Sequence, residues 1–297
     1  MFVHCFPDSL VFARRLAHAL GAPLARIEVH YFPDAEARVR VEPGERAALL
    51  VRSLHDPNAK LFELLLSAAA LRDGGAESVT LVAPYLAYMR QDRAFARGEA
   101  VSQRVLGKLL GDAFDRVVCV EPHLHRIGSL SEVFPCDALA VSAAPAIAEC
   151  LVSQGEACWI VGPDEESMPW VRAIGEQARM PQVVARKRRS GDDVVEVMLP
   201  SGARAPCARA VIVDDIASSG ATLAAAARAL YAAGAQQVEA VVAHAIIAPG
   251  AEARLREAGI SRLVSCDTIP HPTNAIATAG LIASALLAKE PAAGSAH

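Results

Sequence analysis

At 297 residues the chain holds two ordinary domains or one large one. Its 53% hydrophobic and 21% charged residues are those of a compact globular protein, and a net charge of −4 leaves no basic footprint for nucleic acid. No apolar run reaches the roughly 18 residues of a membrane span, and the start Met1-Phe2-Val3-His4-Cys5-Phe6 lacks the basic segment of a signal peptide. A cytoplasmic protein with neither a membrane nor a nucleic-acid partner is expected. The seven cysteines are scattered, with no C-x-x-C pair, which predicts reduced core thiols and no structural zinc.

Short apolar strands alternate with amphipathic helices along the chain. A strand is expected at 2–6, a helix at 9–20, a hairpin at 28–31 and 37–41, a strand at 47–52 and a helix at 58–72. Strand 78–83, helix 102–110 and strand 116–120 follow. The second half repeats the order: helix 143–154, strand 158–161, helix 167–178, strand 182–185, then an antiparallel piece at 194–199 beyond a basic run at 186–189. Strand 210–213, helix 221–233, strand 238–247, helix 251–258, strand 262–265 and an apolar helix at 278–287 complete it, and 291–297 reads as a frayed end. This alternation predicts an α/β fold with mostly parallel sheets flanked by helices. The similar order of the halves suggests a duplicated unit. The division expected is 1–140 and 141–277, with the helix at about 278–290 packing back on the first domain.

The most informative run is Ala210-Val211-Ile212-Val213-Asp214-Asp215-Ile216-Ala217-Ser218-Ser219-Gly220-Ala221-Thr222. A buried strand ends on two adjacent carboxylates, and a loop of small, hydroxyl-bearing residues opens an Ala-rich helix. Small residues let backbone N–H groups close on phosphate oxygens, and the helix N-terminus adds positive potential. The carboxylates suit the paired hydroxyls of a ribose, so a sugar phosphate is indicated. A buried strand, acidic turn and capped helix without a ligand is the alternative.

Four further segments are polar where strands end, the place where ligands bind in open α/β sheets. Phe32, Asp34 and Glu36 could stack on a base and accept from its amine, or form only a hairpin turn. Arg90-Gln91-Asp92-Arg93 offers a guanidinium fork for phosphate oxygens. Glu121-Pro122-His123-Leu124-His125-Arg126 could place one His beside a phosphate. Asp164, in Gly162-Pro163-Asp164-Glu165-Glu166-Ser167, could bind Mg²⁺ or merely cap a helix. In the basic run, alternation puts Lys187 and Arg189 on one strand face, suited to closing over a polyphosphate.

Together these residues resemble the ribose-phosphate diphosphokinase family, whose members make phosphoribosyl diphosphate (PRPP). The likeness covers nearly the whole chain: Arg90–Arg93 stands for the family's Arg-Gln-Asp-Arg, Lys187–Arg189 for its flap, and Val211–Thr222 for its PRPP-binding strand and loop. The resemblance implies two phosphoribosyltransferase-type domains, ATP and ribose 5-phosphate as substrates, Mg²⁺ as cofactor, and a homo-oligomer, dimer or higher. It assigns Asp214, Asp215, Ser218, Ser219, Gly220, Ala221 and Thr222 to ribose 5-phosphate. It assigns Phe32, Asp34, Glu36, Arg90, Gln91, Asp92 and Arg93 to ATP, the first three partly in a neighbouring subunit. His123 and Asp164 would position the metal, and Lys187 and Arg189 would be catalytic.

The chain departs from the family at Glu121-Pro122, at Glu165-Glu166 in place of a Gly pair, and at Ala221 in place of a Gly, which requires negative φ there. Two rival readings remain: a PRPP-consuming phosphoribosyltransferase, and a non-catalytic regulatory paralogue.

Overall fold

The computed structural model describes residues 1–124, 126–190 and 194–288. It divides into two compact units, Met1–Val141 with the segment from Thr278 onward, and Ser142–Ala277. Among the described residues no helix is long and apolar enough to cross a membrane.

The first unit runs β1 (Phe2–Cys5), α1 (Leu10–Leu20), β2 (Leu24–Arg26), the hairpin β3 (Glu28–Tyr31) and β4 (Ala37–Arg40), β5 (Ala47–Val51), α2 (Pro57–Asp73), β6 (Ser78–Ala83), α3 (Ser102–Ala113), β7 (Arg116–Val120) and β8 (Asp137–Val141). Six strands form one parallel sheet in the order β2, β1, β5, β6, β7, β8. Its central strands read Ala-Ala-Leu-Leu-Val and Arg-Val-Val-Cys-Val. Such runs have no polar alternation because both faces are covered. The C-terminal helix Ala279–Leu287 packs on α1.

The second unit runs α4 (Ala144–Ser153), β9 (Trp159–Gly162), α5 (Met168–Ala178), β10 (Gln182–Val184), the hairpin β11 (Arg186–Ser190) and β12 (Val194–Met198), β13 (Arg209–Ala217), α6 (Ala221–Ala232), β14 (Gln237–Ala245), α7 (Ala251–Glu257), β15 (Ile260–Cys266) and β16 (Asn274–Ile276). Its parallel sheet has the order β10, β9, β13, β14, β15, β16. This is the topology of the first unit strand for strand. In both, the antiparallel hairpin lies between the second and third sheet strands and packs on the helix after the third, α2 on β4 and α6 on β12. Each sheet has its topological switch point between the first and third strands, β1 and β5 or β9 and β13.

The structure adds three strands to those expected from sequence: β2, β8 and β16. All three are sheet edges, and two have only three residues, too few for a periodic signal. A second correction concerns β13. It does not end before the carboxylates but continues through Asp214 and Asp215 to Ala217, because the equally long β14 pairs with it as far as Ala217 opposite Ala245.

Candidate functional site

In the second unit, β9 and β13 deliver acidic side chains to the switch point. Beyond Gly162, Asp164 opens a 3-10 turn at Glu165–Ser167. Its side chain makes no capping hydrogen bond there, so the helix-cap alternative does not describe it. Instead its Oδ2 accepts from Lys187 Nζ at 3.0 Å. Gly162 makes the tight turn possible, because a Cβ there would lie 2.1 Å from Ser167 Oγ, which donates to the Asp164 carbonyl.

Asp214 and Asp215 stand beside this pair. Burial, then the Asp215 and Asp164 charges, push the Asp214 carboxyl well above the usual carboxylate range, with Lys187 opposing them. The Asp215 amide donates to Asp214 Oδ1 at 3.0 Å. The Asp164 and Asp215 charges thus both act on Asp214 with Lys187 opposing them, a group of carboxylate oxygens of the kind that suits a cation or hydroxyl donors. Hard oxygen donors in this number fit Mg²⁺, which takes one or two carboxylates and completes its shell with substrate oxygens and water. Among the described residues, no cluster of three or more His, Cys, Asp and Glu is arranged to hold a metal unaided.

Directly beyond β13, Ser218, Ser219 and Gly220 form the loop that starts α6. Gly220 has φ +74°, and a Cβ there would also press on Leu255 at 3.1 Å. The α6 N-cap, Gly220, supplies no side-chain acceptor, and Ser219 Oγ accepts from the Ala221 amide at 3.4 Å; the first turn of such a helix favours an anion. Ala221 is the first helical residue and is not among the positive-φ positions, so its Cβ is accommodated. Thr222 follows it in the first turn. Arg254 of α7 donates to the Ser219 carbonyl at 2.8 Å and so braces the loop. Sequence reading missed Arg254, which has no motif around it.

Hairpin β11–β12 brings the basic run to the same edge. Its register sets Lys187 opposite Val197 and Arg189 opposite Val195. Arg186 Nε lies 3.3 Å from Glu165 Oε1, so that departure from the family pattern is engaged in an ion pair at the hairpin base. The side chain of Arg189 and all of His125 lie outside the described residues.

The remaining expected residues belong to the first unit. Phe32, Asp34 and Glu36 occupy the exposed tip of hairpin β3–β4, where Asp34 Oδ1 accepts from the Glu36 amide at 3.1 Å. Arg90, Gln91, Asp92 and Arg93 follow β6, and Arg90 and Arg93 are exposed. Asp92, however, is a structural partner of the next loop: Arg126 Nη1 donates to both its oxygens at 2.6 and 2.7 Å. That fork ties the loop after β6 to the loop after β7, which carries His123. Non-glycine residues with positive φ recur in the loops after β5, β6 and β7: Asp56 (+50°), Tyr88 (+61°) and Glu121 (+37°). Strained backbone concentrated on one sheet edge is a feature of functional edges.

Two family models match the chain. Residues 3–113 match the N-terminal domain of ribose phosphate pyrophosphokinase, and residues 131–279 match the phosphoribosyl transferase domain. The ribose-phosphate pyrophosphokinase of Methanopyrus kandleri is 33% identical over 290 residues, covering 96% of this chain and 98% of that protein. Ribose-phosphate pyrophosphokinase 2 of Archaeoglobus fulgidus is 34% identical over 278 residues, 93% and 97% of the two chains. Among solved structures, a phosphoribosylpyrophosphate synthetase from Mycobacterium smegmatis superposes with a TM-score of 0.80 at 22% identity, covering 96% and 97%, which establishes a shared fold. With both domain models matched in order and relatives above 30% identity aligned end to end, the chain belongs to the ribose-phosphate pyrophosphokinase family.

Proposed function

We propose that the protein transfers the diphosphate of ATP to O1 of ribose 5-phosphate, giving PRPP and AMP. The observation that carries this is the meeting of Asp164, Lys187, Asp214 and Asp215 at the strand end that leads into the α6 N-terminus, within a chain whose full-length relatives are named for this reaction. Asp214 and Asp215 accept from the ribose hydroxyls, and Ser218 to Thr222 hold the 5-phosphate. O1 of the sugar attacks the β-phosphorus of ATP. A new O–P bond forms as the bond to the bridging oxygen breaks, AMP leaves with that electron pair, and the O1 proton passes to solvent.

No side chain is assigned as general base, so the rate arises from positioning and charge stabilisation. Lys187 and Arg189 neutralise charge on the transferring group. Arg90, Gln91 and Arg93 hold ATP phosphates, with Phe32, Asp34 and Glu36 on adenine. Asp92 acts through Arg126. Asp164, with Asp214 or Asp215, is the oxygen donor set for Mg²⁺, which when bound lowers the charge on the diphosphate. His123 is a poorer donor for so hard a cation and is better matched to a phosphate oxygen. A cytoplasmic homo-oligomer completes the reading.

The regulatory-paralogue reading leaned on Glu165-Glu166, and the Glu165–Arg186 pair weakens it. The PRPP-consuming reading leaves the hairpin tip and Arg90–Arg93 without a role. Purified protein with ATP, Mg²⁺ and ribose 5-phosphate should release AMP only when the sugar is present. Well-folded protein that binds ATP yet forms no AMP would overturn the assignment.

A further inference from the structure

The first unit has a switch point too, and the chain itself fills it. After β1 stands Pro7-Asp8, the counterpart of Pro163-Asp164 after β9. Asp8 meets Lys60 at 3.1 Å and Arg52 at 3.4 Å. Burial alone would raise the Asp8 carboxyl, but the two cations pull it below its usual range. Arg52 stacks 3.8 Å over the Phe6 ring and reaches Glu63 of α2 at 2.5 Å. Glu63 then accepts a hydrogen bond from the Tyr31 hydroxyl. Lys60 is further satisfied by the Ser53 carbonyl at 3.0 Å. Two cations and two carboxylates are therefore closed on one another, with no unpaired charge left for a ligand.

The outer end of this network is informative. Tyr31 is the last residue of β3 and precedes Phe32 at the hairpin tip. Its side chain is exposed, whereas that of Glu63 is 2% exposed. In the second unit, Lys187 ties hairpin β11–β12 to the Pro-Asp carboxylate directly. In the first unit, Tyr31 ties hairpin β3–β4 to the same position through Glu63 and Arg52. We infer that Tyr31 and Glu63 are positioning residues for the nucleotide: they hold the hairpin tip in the conformation that receives adenine. This rests on the assignment of Phe32, Asp34 and Glu36 to ATP given above. Losing the bond lowers the fraction of hairpins in that conformation, and apparent affinity falls by the same fraction.

The test is steady-state kinetics of Tyr31→Phe, Glu63→Gln and the double variant, with direct binding of a non-hydrolysable ATP analogue. Tyr31→Phe removes one oxygen from an exposed ring and leaves the core intact. The KM for ATP and the analogue's Kd should rise together about three- to tenfold, as for loss of one hydrogen bond of ordinary net strength from an exposed hydroxyl. The KM for ribose 5-phosphate and kcat at saturating ATP should hold. The double variant should be no worse than the poorer single one. Equal shifts in both KM values, unchanged ATP affinity in Tyr31→Phe, or additive losses would each overturn the inference. Wild-type protein that makes no AMP refutes the proposed reaction instead, while analogue binding still tests the hairpin.

Discussion

Lys187→Ala separates the two tasks of the Asp164–Lys187 pair. At 3.0 Å the pair's direct attraction is about 5–6 kcal/mol at an effective dielectric of about 20. Its side chains are 20% and 14% exposed, so desolvation has already cancelled much of that. The net loss on removing one partner is about 1–3 kcal/mol, chiefly because Asp164 is left beside Asp214 and Asp215 without its cation. For a unit of this size each kcal/mol moves Tm by about 4 °C, so the ligand-free variant should melt roughly 4–12 °C lower. Turnover should fall by about two to three decades, the usual cost of one charge-stabilising donor.

Adding Asp164→Asn to Lys187→Ala removes the orphaned charge, so most of the lost Tm should return while turnover stays low. Scanning fluorimetry and an AMP-release assay measure the two effects independently. An unchanged Tm in Lys187→Ala, or no recovery in the double variant, would show that the pair does not hold the free protein together. Near-normal turnover would remove Lys187 from the chemistry.

Three further outcomes follow from neighbouring sites. Asp214→Asn relieves the like charges around it and should stabilise ligand-free protein by about 0.5–2 kcal/mol while abolishing most activity, as expected where function requires strain. The wild-type Asp214 carboxyl is raised, so its contribution is greatest at low pH and is lost as pH rises through its folded-state value; a Tm–pH profile unchanged by the substitution would contradict this. Asp215→Ala should raise the KM for ribose 5-phosphate, and an effect confined to ATP would reassign the residue. Burial pushes the Cys5 and Cys158 thiols up to about 11 and closes them off, so iodoacetamide at pH 8 should modify the partly exposed Cys136, Cys150 and Cys207 first, and mass mapping that finds the reverse order would place those thiols differently.

The sheet strands were legible where they are buried on both faces. β5 and β7 carry continuous apolar runs bounded by turn residues, and hydrophobic continuity is the signal of such strands. Edge strands β2, β8 and β16 have one paired side and less burial, so nothing in their composition marks them. The candidate site was legible wherever several chemical groups stand consecutively, as at Asp214-Asp215 and Lys187. The roles of Arg126 and Arg254 were not, because each acts on a partner far along the chain, 34 or more residues away for the Arg126–Asp92 and Arg254–Ser219 bonds, and Glu63 stands in no polar motif. Asp92 lies inside a recognisable motif, and its oxygens accept from Arg126 in the next loop.

The two units share a topology but line their switch points with different charges. Both sheets present a Pro-Asp carboxylate after their first strand. In the second unit the third strand continues into Asp214 and Asp215, and like charges together with burial raise the Asp214 carboxyl. In the first unit the third strand continues into Arg52 and Ser53, and Lys60 follows on α2. Those two cations neutralise Asp8 and Glu63 from within the chain. By strand register the positions equivalent to Asp214 and Asp215 are Ser53 and Leu54, so the first unit lacks that acid pair, and Arg52 and Lys60 close on its Pro-Asp carboxylate instead.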